Sequence, residues 1–89
     1  MIAQGLEGLA AVATARGEAA PTARLLGAAD AIRDEIGTPR PMASRPAHER
    51  QVAVTREALG ATAFAQAWAA GHSLSAHEAA AEAMEYALG

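Results

Sequence analysis

Twenty-seven of the 89 residues are alanine, and the chain holds no lysine, asparagine or cysteine. Alanine is the best helix former, because it loses no side-chain entropy and hides no polar group. A strand reading needs alternating β-branched and aromatic residues. Only Val52 and Val54 alternate, and they sit inside a helical pattern. The composition therefore predicts an all-α fold. It also predicts a thin core. Apart from Met1, only 18 apolar side chains are larger than alanine. At roughly 25 cal/mol per Å² of buried apolar surface, each alanine contributes little. Small domains already bury a low fraction of their surface. Close, alanine-mediated helix packing is expected, with help from a partner surface.

Periodicity and stop signals predict five helices in one domain. The first spans Ile2 to Ala15, with Ile2, Leu6, Leu9 and Ala13 on one face and Gly17 as its C-cap. The second spans Ala19 to Ile36, opening at Glu18 with Pro21 in its first turn. Its stripe is Leu25, Ala29, Ile32 and Ile36, broadened by Leu26, and Gly37 stops it. Together they read as an antiparallel helical hairpin over residues 1–37. Residues 38–45 hold Pro39 and Pro41 and form the one irregular connection. Residues 46–89 read as a three-helix unit. The third helix runs from Arg45 to Leu59, N-capped by Ser44, with Val52, Thr55 and Leu59 inward. A short fourth helix, Ala61 to Ala70, lies between two glycine terminators, Gly60 and Gly71. It carries Phe64 and Trp68 one turn apart. The fifth opens on a capping box, Ser75-Ala76-His77-Glu78, with Leu74 in the staple position. Ala80, Met84, Ala87 and Leu88 form its expected core stripe, with Glu78, Glu82 and Glu85 facing water.

The formal charge of −3 and pI near 5.5 argue against a nucleic-acid footprint, which shows as a basic face. Without cysteine there is no disulfide, thiolate metal site or cysteine nucleophile, which suits a reducing cytoplasm. No run of 18 apolar residues could span a membrane. The start, Met-Ile-Ala-Gln-Gly-Leu-Glu, lacks the charged and long apolar regions of a signal peptide. All seven cations are arginine, a codon bias of GC-rich bacterial genomes.

Candidate chemistry is sparse. His72 and His77 are five apart with a helix start between them, which breaks the one-face geometry of a metal pair. Glu78 near them already has a capping role. His48 and Glu49 fall in the first turns of the third helix and read as a solvated face. Arg40, Arg45 and Arg50 read as a loose solvated cluster. No Gly-x-Ser-x-Gly elbow or phosphate-cradling glycine loop is present. The expectation is therefore no enzyme, no catalytic residue, no cofactor and no metal. Phe64 and Trp68 read first as a core plug and second as a recognition ridge.

Several segments line up with a known group. They include Leu6-Glu7-Gly8-Leu9-Ala10-Ala11-Val12-Ala13, Arg16-Gly17-Glu18 and Ala23-Arg24-Leu25-Leu26-Gly27-Ala28-Ala29. Ile36-Gly37, Pro39-Arg40-Pro41, Glu49-Arg50, Leu59-Gly60, Phe64, Ala67-Trp68-Ala69, Gly71, Leu74-Ser75 and Glu78-Ala79 follow in order. Over nearly its whole length the chain resembles the C-terminal, tetratricopeptide-like helical region of actinobacterial LuxR-type ATP-binding regulators and related antibiotic regulators. The resemblance implies a helical-repeat tail that receives a signal or contacts a partner. The ATPase module and helix-turn-helix of such proteins have no counterpart here, so their activities carry over to no residue. The chain also departs from the tetratricopeptide pattern. That pattern wants a large aromatic in the first helix, where Ala11 to Ala13 are small. Repeat arrays need about three units, and this chain holds at most one and a half.

These readings converge on a non-catalytic protein-interaction or array-capping module of a bacterial signalling or transcription regulator. The alternative is a small-ligand sensor, with an apolar pocket near Phe64 and Trp68 between the hairpin and the last helices. DNA binding is a third, weaker reading. The expected partner is a protein or the remainder of a larger regulator, with no membrane and no direct nucleic acid. Leu6, Leu9, Val12, Phe64 and Trp68 are the candidate interaction residues. A homodimer through the first hairpin is expected, because that helix leaves one face open.

Overall fold

The computed structural model describes residues 2–37 and 42–88. Among them no residue lies in a strand. Five α-helices follow one another: α1 (Ile2–Ala15), α2 (Ala19–Ile36), α3 (Arg45–Leu59), α4 (Ala61–His72) and α5 (Ala76–Leu88). A 3-10 turn, Met42–Ser44, leads into α3. Pro39, Arg40 and Pro41 lie outside the described residues, as do the side chains of Ile2 and Ser44.

The α1–α2 hairpin forms as expected. Gly17 takes up the left-handed conformation at its turn, and the Glu18 amide reaches back to the Ala13 carbonyl at 2.9 Å. Gly37 closes α2 the same way, donating to the Arg33 and Asp34 carbonyls. The rest of the chain does not stand apart from the hairpin. α2 touches every other helix. Its buried residues run without a gap from Leu25 to Ala29, and Thr22, Ala23 and Ile32 extend them. So α2 is the central rod, and of its large apolar side chains Ile36, at its C-terminal end, is exposed.

α4 meets α2 through two glycines. A Cβ at Gly27 would overlap the Trp68 carbonyl oxygen and lie 3.1 Å from the Trp68 Cα. A Cβ at Gly71 would overlap the Arg24 carbonyl and lie 3.1 Å from the Ala28 nitrogen. Each glycine faces the backbone of the residue three before its counterpart. The two helices are therefore in backbone-to-backbone contact. Gly71, expected to end α4, does not: α4 runs through it to His72, and Gly71 is buried against α2. Gly60 is the true break between α3 and α4. Its φ of 86° and ψ of 153° belong to a region open in practice only to glycine.

α3 lies on α2 through Thr55, which is buried and donates to its own helix at Gln51 O, 2.7 Å away. Gln51 in turn donates to Thr14 Oγ1 of α1 at 3.2 Å. No buried side-chain polar atom among the described residues lacks a partner.

The glycines separate by their surroundings. Gly71→Ala should lower the melting temperature. Overpacking costs about 1–3 kcal/mol and outweighs the helix-propensity gain of about 1 kcal/mol. Gly8→Ala meets nothing within 4 Å and should raise it, by about 0.5–1 kcal/mol in stability. Thermal denaturation of the two single variants checks the pair.

Candidate functional site

Charged pairs fix how α1 and α5 sit on the central helix. Arg33 of α2 grips Glu7 of α1 with both ends of its fork, Nε to Oε2 at 2.9 Å and Nη2 to Oε1 at 2.7 Å. Arg24 grips Glu82 of α5 in the same way, with Nη2 to Oε2 at 2.7 Å. Tyr86 of α5 donates its hydroxyl to Glu18 at the hairpin turn, and Arg16 lies over the Tyr86 ring at 5.7 Å. The Glu82 carboxyl is held below its ordinary range because Arg24 donates to its charged form; partial burial opposes this. The Tyr86 hydroxyl is raised above its ordinary value, chiefly by its bond to Glu18.

These pairs reset the phase of α5. The capping box forms as expected, with Glu78 N to Ser75 Oγ at 3.1 Å and Ser75 N to Glu78 Oε1 at 2.9 Å. The core stripe does not match. Ala79 and Ala83 are buried, with Leu74, Ala76 and Tyr86 packed beside them. Met84 and Leu88, expected inside, are 66% and 86% exposed. Glu82, expected to face water, is the Arg24 partner. Only an alanine face lets α5 come close to α1 and α2, so the bulky residues turn outward.

The five candidate interaction residues divide accordingly. Leu6 is only 2% exposed. Because α5 folds over α1, it is core and not a free face. Leu9 is half-buried at the α1–α5 seam, and Val12 is exposed. Phe64 is buried, with Trp68 half-buried beside it, ring centroids 5.6 Å apart. The core-plug reading describes Phe64, and Trp68 sits at the edge of the plug.

Two apolar hollows adjoin the candidate interaction residues. One, about 250 Å³, runs between α1 and α5 and is lined by Gly5, Leu6, Leu9, Ala80, Ala83, Met84 and Ala87. The other, about 440 Å³, is lined by Val52, Arg56, Ala61, Phe64, Ala65 and Trp68. A hollow near Phe64 and Trp68 was expected between the hairpin and the last helices. Its lining comes instead from α3 and α4. Sequence reasoning passed over Arg56, whose guanidinium carbon lies 5.1 Å from the Phe64 ring centroid. The four-residue step from Val52 to Arg56, which puts both on one face of α3, was the available signal.

The histidines do not gather. His72 faces Asp30 of α2, Nε2 to Oδ2 at 3.6 Å, rather than His77. Asp34 lies close to both, with one potential ligand atom from each residue within 4.8 Å of the others. His77, Glu49, Arg45 and Arg50 are exposed. No described helix is long and apolar enough to cross a membrane. No family model, curated protein or solved structure compared with the chain matches it.

The Arg24–Glu82 pair has a definite pH signature. A carboxyl with a depressed folded pKa adds stability above its unfolded pKa. That contribution is lost as pH falls through the folded value. Both side chains are over a third exposed, so the contribution is at most about 1 kcal/mol. Glu82→Gln should lower the melting temperature at pH 7. As pH falls through the depressed Glu82 value, native and variant should converge. Melting curves across pH check this.

Proposed function

We propose that this chain is a non-catalytic protein-interaction module, working in the cytoplasm as part of a larger bacterial signalling or transcription regulator. The bacterial-regulator context rests on the family resemblance of the sequence. The interaction role is supported above all by the apolar groove between α1 and α5. Met84 stands exposed at that groove, Leu9 half-covers its floor, and Leu88 is exposed at the end of α5. Large apolar side chains gathered on one face of a small domain commonly mark an interface.

The same face carries both a groove and protruding apolar residues. A two-fold contact needs that self-complementarity, because the same patch must serve both subunits. The occupant proposed is therefore a second copy of the chain, with Met84 of each copy entering the other's groove. The face belongs to α1 and α5 jointly, not to the hairpin alone, because α5 already covers Leu6. A small-ligand sensor is the second reading, favoured by the hollow beside Phe64 and Trp68.

Sedimentation of the protein at tens of micromolar tests the first reading. A dimer is expected, and Met84→Glu or Leu9→Glu should return it to monomer with helicity intact. A monomer at that concentration, unaffected by either change, overturns the dimer.

A further inference from the structure

Six side chains line the larger hollow, and five are apolar: Val52 of α3, and Ala61, Phe64, Ala65 and Trp68 of α4. At about 440 Å³ it falls within the roughly 300–1,000 Å³ of small-molecule sites. Arg56 is the sixth, and the single charged group among them.

The setting of Arg56 differs from that of Arg16 in the hairpin turn and of the two arginines on α2. Arg16, Arg24 and Arg33 each meet a glutamate. Arg56 meets no carboxylate among the described residues. The residues one turn away on its own helix are Val52, Ala53 and Leu59, and none is acidic. Its guanidinium is instead held over the face of Phe64. A cation resting on a ring keeps its outward N–H donors for another acceptor. Two further features favour negative charge at the same place. Ala61, in the wall of the hollow, is the first residue of the twelve-residue α4, and Gly60 before it provides no side-chain cap. The first turn of a helix carries partial positive charge. No acidic side chain contributes to the lining.

We propose that this hollow binds a small organic anion with an apolar body, an aromatic or short aliphatic carboxylate. Its carboxylate sits on Arg56, and its hydrocarbon lies against Phe64, Trp68 and Val52. Arginine suits this task because its planar fork matches a carboxylate. One cation in an otherwise apolar wall selects a monoanion with a greasy body over a phosphate-rich ligand. The proposal rests on the ligand-sensor reading and names the class of ligand. It does not depend on the dimer, whose face lies on α1 and α5.

Trp68 is the single tryptophan and lies in the wall, so its emission reports occupancy. The probes are 4-phenylbutyrate and its uncharged amide, 4-phenylbutyramide, titrated into the full chain while Trp68 fluorescence is followed. Saturable change with the acid is expected, at least about tenfold tighter than with the amide, the scale of a charge-assisted hydrogen bond. Arg56→Gln should remove that preference, and Arg56→Lys should restore part of it. Circular dichroism confirms that each variant is folded; Arg56 is exposed, so neither change opens the core. Equal binding of acid and amide would keep the sensor reading and overturn the anion assignment. No saturable response to either probe would overturn both. Acid binding undiminished in Arg56→Gln would overturn the role of Arg56.

Discussion

The backbone contact between α2 and α4 at Gly27 and Gly71 is the constraint on which the rest of the fold depends. A helix of twelve residues with one phenylalanine and one tryptophan has little apolar surface to bury. It compensates by distance. Without Cβ atoms at the crossing, the two backbones touch, and dispersion contacts accumulate along both. The neighbouring alanines then reach the opposite helix as well. With α4 fixed there, α2 is enclosed from the side that the hairpin leaves open. The short α3–α4 connection at Gly60 returns α3 to the same rod.

Such packing leaves orientation poorly specified, since alanine faces look alike from many angles. Polar pairs supply the missing specificity. Arg33 with Glu7 sets the register of α1, and Arg24 with Glu82 sets the rotation of α5. Tyr86 with Glu18 ties the end of α5 to the hairpin turn. Surface ion pairs contribute little stability each. Their geometry ties each helix to α2 at one defined place, Glu7 on α1 and Glu82 on α5.

The surface follows from the same economy. A core made of alanine cannot accommodate every large side chain, so Met84, Leu88, Val54 and Val12 end outside. Where α-helices diverge from their closest approach, alanine walls leave hollows. One opens between α1 and α5, and another between α3 and α4. The first has no charged lining residue, and the second has one arginine. That difference in lining separates a face suited to another helix from a pocket suited to a small anion.

Helix number and most helix ends were legible in the sequence, because they depend on local chemistry. Gly17, Gly37, Pro21 and the Ser75–Glu78 capping box act within a turn or two of the chain. The inward stripe of α2 was legible too, since Leu25, Ala29 and Ile32 repeat at helical spacing. The stripe of α5 was not. Its choice between an Ala79–Ala83 face and a Met84–Leu88 face depends on what lies across from it, and hydrophobicity alone favours the wrong one. Gly71 misled for a related reason: a glycine that ends a helix and one that admits another backbone look the same in one dimension. The dual lining by Val52 and Arg56 of α3 and Phe64 and Trp68 of α4 also arises only once both helices have docked. Local propensity settled the elements, and steric fit between distant backbones decided which faces met and which were left to solvent.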